Sequence, residues 1–251
     1  MEQFNYTKNY QKLEDPTRLQ KSPLWIRILK RILEIIIVAA VSLALAYLIV
    51  NWPALFKKFD YWDHNRNQSN SSNPTGKLPE IPDIEREGSW LIIPKIQVDA
   101  PIIWTSTVDE NVILADLDNG VVHYANTAMP GEEGNVAITG HSSNYWWSQG
   151  KYNTVFATLD QLVPGDQAAI LKDGKKYVYE VWGSEVVEPT RVSVLASMPE
   201  PTLTLITCVP VGTNLNRLVV RARQIEPKIK KSQKKSNRQS LPEIKSLPGV
   251  R

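Results

Sequence analysis

Cys208 ends a strand-like run, TLTLITC, and is followed by Val-Pro-Val-Gly-Thr-Asn. A thiol at the end of a strand, before a Pro/Gly loop, is held by a rigid element yet open to substrate, a position that suits a nucleophile. His141 has a matching context in AITGHSS, where a β-prone run is followed by a glycine and then the histidine. Arg217 opens the run RLVVRA, nine residues after Cys208. If the strands bearing Cys208 and Arg217 are neighbours, the two side chains meet across the mouth of the intervening loop. Together the three residue types suffice for acyl transfer. An imidazole can activate a thiol and later protonate a leaving amine. A guanidinium keeps its proton, so its use is to stabilise an oxyanion and to position a peptide.

The same residues admit plainer readings. A lone cysteine in an apolar strand is often an inert core residue, a histidine beside a glycine a loop residue, and an arginine at a strand edge a solvated one. His64 falls in a polar linker and His123, in GVVHYA, reads as structural. Metal-ligand spacing, a G-x-S-x-G elbow and a phosphate-binding glycine loop are all missing from the sequence, so neither a metal nor a cofactor is expected. Glu132, Glu133 and Glu188 do not make a convincing calcium set. With one cysteine in 251 residues, an internal disulfide is impossible and a Cys-based zinc site is excluded.

The elements that must carry these groups are short. β-Prone runs occur at Trp90 to Ile93, Asn135 to Thr139, Gln167 to Leu171, Lys176 to Val181, Thr202 to Thr207 and Arg217 to Arg221. Pro130-Gly131, Pro164-Gly165-Asp166 and Asp173-Gly174 punctuate them, and the last joins QAAILK to KKYVYEV as a hairpin signal. Thr154 to Leu162 can form a short helix. Closely spaced short strands predict an all-β domain over 88–224, either a barrel or a sandwich.

Around that domain the character of the chain changes. Residues 1–31 are polar and basic, with Lys8, Lys12, Arg18, Lys21, Arg27, Lys30 and Arg31. The run ILEIIIVAAVSLALAYLIV follows, and 32–52 reads as a transmembrane signal-anchor helix, since about 20 apolar residues span a bilayer. Trp25, Tyr47 and Trp52 lie near its ends, where interfacial aromatics belong, and the basic cluster predicts a cytoplasmic N-terminus with everything after Trp52 outside. A cleavable signal peptide fits less well, because no small-x-small site follows the run. Residues 53–87 are rich in Asn, Ser and Pro and read as an extracellular linker. Residues 225–251 read as a basic, disordered tail. A hydrophobic content of 42% against 22% charged residues places the chain among globular proteins, and a net charge of +3 is too small to argue for nucleic acid.

At this point the sequence resembles the sortase family. TLITC, Thr204 to Cys208, resembles the family's T-L-x-T-C motif, and GVVHYANTAMPGEEGNVAITGHSS resembles the stretch leading to its histidine. LIIPKIQVDAPI is similar to the first barrel strand and its turn, and CVPVGTNLNR to the C-x-P-x-G-x-N-x-x-R spacing. Coverage runs from about Trp90 to Arg223. The resemblance implies a closed eight-stranded β-barrel with short helices. It also implies a surface-anchored bacterial enzyme that cleaves C-terminal sorting signals, usually L-P-x-T-G, between threonine and glycine. A thioacyl enzyme forms on the cysteine, and an amine from cell-wall precursor or a pilin lysine resolves it. The family's cysteine, histidine and arginine fall on Cys208, His141 and Arg217. Thr207 matches the motif threonine and is expected to bind substrate or polarise its carbonyl.

Two departures bear on subtype. The stretch SSNYWWSQGKYNTVF after the histidine is longer and more aromatic than in many branches, so Tyr145, Trp146 and Trp147 either line the substrate groove or cover the barrel. The second membrane segment and the aspartate-bearing lid of the pilus-building branch are not found in the sequence. Two rivals stand beside the sortase reading. One is a catalytically silent surface module binding sorting-signal peptides or wall polymer. The other is a papain-like or wall-hydrolase cysteine peptidase, although those generally place cysteine before histidine, the reverse of the order here.

Overall fold

Strand residues alternate between two apolar surroundings, and this alternation builds the domain. The computed structural model describes residues 23–70, 81, 86–144, 148, 150–228 and 246–248, with backbone alone for 64–70. Eight strands are present: β1 (Trp90–Ile93), β2 (Val98–Trp104), β3 (Val121–His123), β4 (Asn135–Thr139), β5 (Gln167–Lys172), β6 (Lys175–Val187), β7 (Thr202–Val209) and β8 (Asn216–Glu226). They close in the order β1-β2-β3-β4-β7-β8-β6-β5. The β2–β3 and β4–β7 pairs are parallel and the rest antiparallel. The all-β expectation is therefore met as a closed barrel.

Leu203 and Leu205 of β7, Val136 and Ile138 of β4 and Leu218 and Val220 of β8 point into the barrel, where they join Leu91, Ile170 and Tyr179. The residues between them point outward. Ile206, Ala137 and Val219 lie in a second apolar cluster with Val122, Tyr124, Val194 and Leu195. Ile113 of α3 (Glu110–Asp116) belongs to it as well. The outer wall of β3, β4, β7 and β8 is thus covered rather than bare.

At the β5–β6 hairpin Lys172 pairs with Lys175, and Asp173 and Gly174 take φ of 52° and 70°. Both central residues are left-handed, as a two-residue type I′ turn requires, so the predicted hairpin is present. The strands β2 and β3 and the helix α3 lie outside the runs that the sequence marks. Where a short helix was expected from Thr154 to Leu162, the chain makes successive turns ending in a 3-10 turn at Leu159–Gln161.

The chain divides into two compact units, Met1–Tyr47 and Leu48–Arg251. Helix α1 (Leu24–Val50) has 27 residues, none buried, and is long and apolar enough to cross a membrane. At 1.5 Å per residue it measures about 40 Å, against a hydrocarbon core of about 30 Å. Its one carboxylate, Glu34, pairs with Arg31 at 2.9 Å. Helix α2 (Trp52–Asn70) occupies much of the segment expected as a linker. It is held to the barrel unit: Ala54 is buried, Lys57 Nζ donates to the Thr154 carbonyl at 3.0 Å, and Lys58 pairs with Asp160 at 2.7 Å. Toward the other end, β8 runs two residues past the expected boundary, and Leu247 and Pro248 are buried.

Candidate active site

Cys208 and Arg217 are direct partners in the antiparallel β7–β8 ladder. On the other side of β7, the parallel β4 register sets Thr139 against Ile206. The Gly140 N–H continues this ladder beyond β4 by donating to the Ile206 carbonyl at 3.1 Å. His141 follows Gly140 just beyond the end of β4, beside the end of β7 that carries Cys208. Neighbouring strands lie about 4.8 Å apart, so Cys208 and Arg217 sit side by side at the end of the barrel that His141 adjoins. Alternation sends Cys208 and Arg217 to the outer face, the side of Ile206 and Val219. Of the three predicted residues, the ladder pairs Cys208 with Arg217, and His141 follows the Gly140 that is bonded to β7.

Local sequence explains how each is held. Gly140 has no room for a side chain, because a Cβ there would stand 2.6 Å from Phe156 Cδ2. The Phe156 N–H donates to the His141 carbonyl at 2.9 Å, which fixes the histidine backbone. Ser143 Oγ accepts from the Gly212 N–H at 2.8 Å, tying the loop after His141 to the loop after Cys208. Gly212 has φ of +83°, the left-handed region that glycine favours.

Thr207 is 2% exposed, and its hydroxyl donates to the Gly140 carbonyl at 2.8 Å. The group expected to touch substrate is thus directed to the backbone beside His141, binding the cysteine strand to the histidine strand. Trp146 and Trp147, with Tyr145, lie outside the described residues. The flanks of that stretch are joined: Asn144 Nδ2 donates to Ser148 Oγ at 3.1 Å and to Asn153 Oδ1 at 3.0 Å.

All three candidate groups are enclosed, with exposures of 4% for Cys208, 4% for His141 and 3% for Arg217. Burial pushes the His141 pKa below its ordinary value, partly opposed by the Asp118 carboxylate. The ring is therefore neutral near pH 7, as a general base requires. Burial also pushes the Tyr124 phenol up, so it stays protonated beside the field of Arg217. Among the described residues, the guanidinium's hydrogen bonds go to carbonyls. Nη1 donates to Asn214 at 2.9 Å and Asn216 at 3.1 Å, Nη2 to Leu247 at 2.8 Å, and Nε to Pro248 at 3.0 Å. Cys208 was expected to be open to substrate. It is instead enclosed at the end of β7, on the strand face it shares with Ile206.

Asn135 stands at the end of β4 far from His141 and ties that end of the strand to its neighbours. Its Nδ2 donates to the Val194 and Ala196 carbonyls at 3.0 and 3.2 Å, and its Oδ1 accepts from Thr204 at 2.6 Å. One side chain thus joins β4, β7 and the 3-10 turn (Val192–Leu195) that covers the outer cluster. The other buried histidine, His123, has Nε2 3.0 Å from the Ala128 carbonyl and 2.9 Å from Thr127 Oγ1, a structural arrangement.

The family model for the sortase domain matches residues 91–225, more than half of the chain. The chain belongs to the sortase family. This sortase is 28% identical over 167 residues to Sortase D of Bacillus subtilis (strain 168), which covers 65% of this chain and 72% of that protein. It is 26% identical over 180 residues to Sortase A of Bacillus anthracis, covering 70% and 80% respectively. Among solved structures, a Clostridium perfringens Sortase D5 transpeptidase is similar at 29% identity and a TM-score of 0.46, covering 65% of this chain and 88% of that one. The protein is accordingly a cysteine transpeptidase, and Cys208 is the one thiol in its sequence.

Proposed function

We propose that this sortase acts at a bacterial cell surface, cleaving L-P-x-T-G-type sorting signals between threonine and glycine and passing the acyl group to an amine. The observation that carries the proposal is the Cys208–Arg217 ladder pair, with His141 following Gly140 just beyond the neighbouring strand β4. The Cys208 sulfur attacks the threonine carbonyl, and its proton goes to His141. The oxyanion forms next to the Arg217 guanidinium, which favours it electrostatically. Collapse of the tetrahedral intermediate breaks the Thr–Gly bond, and His141 returns the proton to the departing glycine amine. An incoming amine, from peptidoglycan precursor or a pilin lysine, then attacks the thioester and releases the thiol. Thr207 holds the histidine strand in place for this exchange.

Helix α1 serves as the membrane anchor in this reading. The basic residues before it set the N-terminus in the cytoplasm and the barrel outside.

The test incubates the full chain in detergent with a library of L-P-x-T-G-like peptides, with and without small amines, followed by intact mass spectrometry. The expected result is a thioacyl adduct on Cys208 that an amine converts into a new amide, and its absence from Cys208→Ala with the fold retained. A folded protein whose free thiol forms no adduct with any peptide, even after displacement of residues 246–248, supports a silent peptide-binding module instead.

A further inference from the structure

We infer that Leu247-Pro248 is an internal pseudosubstrate, its two carbonyls holding the Arg217 guanidinium that a sorting signal needs. The inference rests on the sortase reading above and adds a regulatory element to its site. Four observations meet here. The carbonyls of Leu247 and Pro248 accept from Nη2 and Nε of Arg217, the residue opposite the nucleophile. The remaining two guanidinium bonds go to Asn214 and Asn216 of the same loop and strand. The Leu247 side chain is 1% exposed, packed in the cluster that includes Ile113, Leu117, Tyr124, Val194 and Ile206. Its N–H donates to the Pro189 carbonyl at 2.8 Å, so the backbone is held from both sides in the manner of a docked extended peptide.

The sequence of the segment makes the same point. Leu247-Pro248 continues as Gly249-Val250-Arg251, which reproduces the first two positions of L-P-x-T-G. Valine and arginine stand where the signal has threonine and glycine. The segment can therefore occupy the leucine and proline positions while offering no Thr–Gly bond to cleave. A signal peptide needs the Arg217 guanidinium that this segment engages, so the two exclude one another.

A tethered competitor has an effective concentration of roughly millimolar and raises apparent KM by the ratio of that concentration to its own dissociation constant. Leu247→Asp places a charge in the apolar pocket and should displace the segment, leaving the barrel strands untouched. In the full chain, Leu247→Asp and truncation after Asn237 should both raise kcat/KM on a signal peptide by roughly tenfold, mainly through KM. Both should accelerate alkylation of Cys208 by iodoacetamide by a similar factor. Added in trans, the peptide Ser-Leu-Pro-Gly-Val-Arg should inhibit Leu247→Asp competitively and emerge uncut. Unchanged kcat/KM and alkylation rate in folded Leu247→Asp would overturn the inference. So would lower activity with a lowered Tm, which marks the segment as a mere part of the core. Faster alkylation with no cleavage of any signal peptide would uphold the guarding role and sink the sorting-signal reading, so the two failures are separable.

Discussion

Arg217 faces Cys208 across the β7–β8 ladder and donates all four of its observed hydrogen bonds to backbone carbonyls. No carboxylate is among these partners. A planar fork directed at carbonyl oxygens is suited to hold an extended peptide, and a lysine cannot reproduce it. Arg217→Lys should therefore keep the charge and the fold but lower kcat/KM by roughly 10²–10³, the range for losing one oxyanion donor. Steady-state kinetics on a signal peptide checks this, and activity within a factor of three would remove Arg217 from the mechanism.

Thr207 offers a cleaner separation of roles. Its hydroxyl is directed at Gly140 rather than at the groove. Thr207→Val keeps the volume and leaves the Gly140 carbonyl without its partner, a loss of about 1–3 kcal/mol. If the residue positions His141, kcat falls while KM stays near its original value, and urea unfolding shows the lost stability. A rise in KM alone would return Thr207 to substrate binding.

The pattern of legibility follows from which signals are local. Six strands were readable because each is a β-prone run bounded by Pro or Gly. Strand β2 was harder: Val98–Trp104 contains Asp99 and Pro101, residues that ordinarily argue against a strand. Strand β3 is three residues long and falls below any periodic signal. The Cys208–Arg217 pairing was anticipated from a nine-residue step between two runs. The placement of His141 beside β7 was not, because it depends on a parallel pairing of β4 with β7 that brings together residues 67 apart (Thr207 and Gly140). Asn135 escaped notice because its partners, Val194 and Ala196, are distant in sequence. The linker reading from residue 53 gave way to α2, since the polar composition counted against a helix whose lysines find Thr154 and Asp160 only in the folded unit.

Gly140 tests whether the approach of His141 to β7 is sterically set. A Cβ at this position would press on Phe156 at 2.6 and 2.8 Å and on Val155 at 3.0 Å. Gly140→Ala should cost about 1–3 kcal/mol by overpacking and shift the histidine backbone, with a larger loss in kcat than in KM. Thermal unfolding alongside kinetics is the measurement. An alanine variant with wild-type Tm and kcat would show that the close packing is not needed.

Acid sensitivity should come from two enclosed imidazoles. Burial holds the folded pKa of both His123 and His141 below the ordinary value of 6.5. Below about pH 6.5 the unfolded chain then binds more protons than the folded one, so stability falls as pH drops from 6.5 toward the folded values. Above 6.5 both states carry neutral rings and this contribution is fully present. The window of about pH 5.5–7.5 spans the ordinary imidazole value and lies above the ordinary carboxylate range. Urea unfolding should give lower stability at about pH 5.5 than at about pH 7.5. His141→Gln should remove part of the difference, with the remainder belonging to His123. Imidazole resonances in Cys208→Ala should titrate with midpoints under 6.5, and stability that is level across this window would show that neither ring is held neutral by the fold.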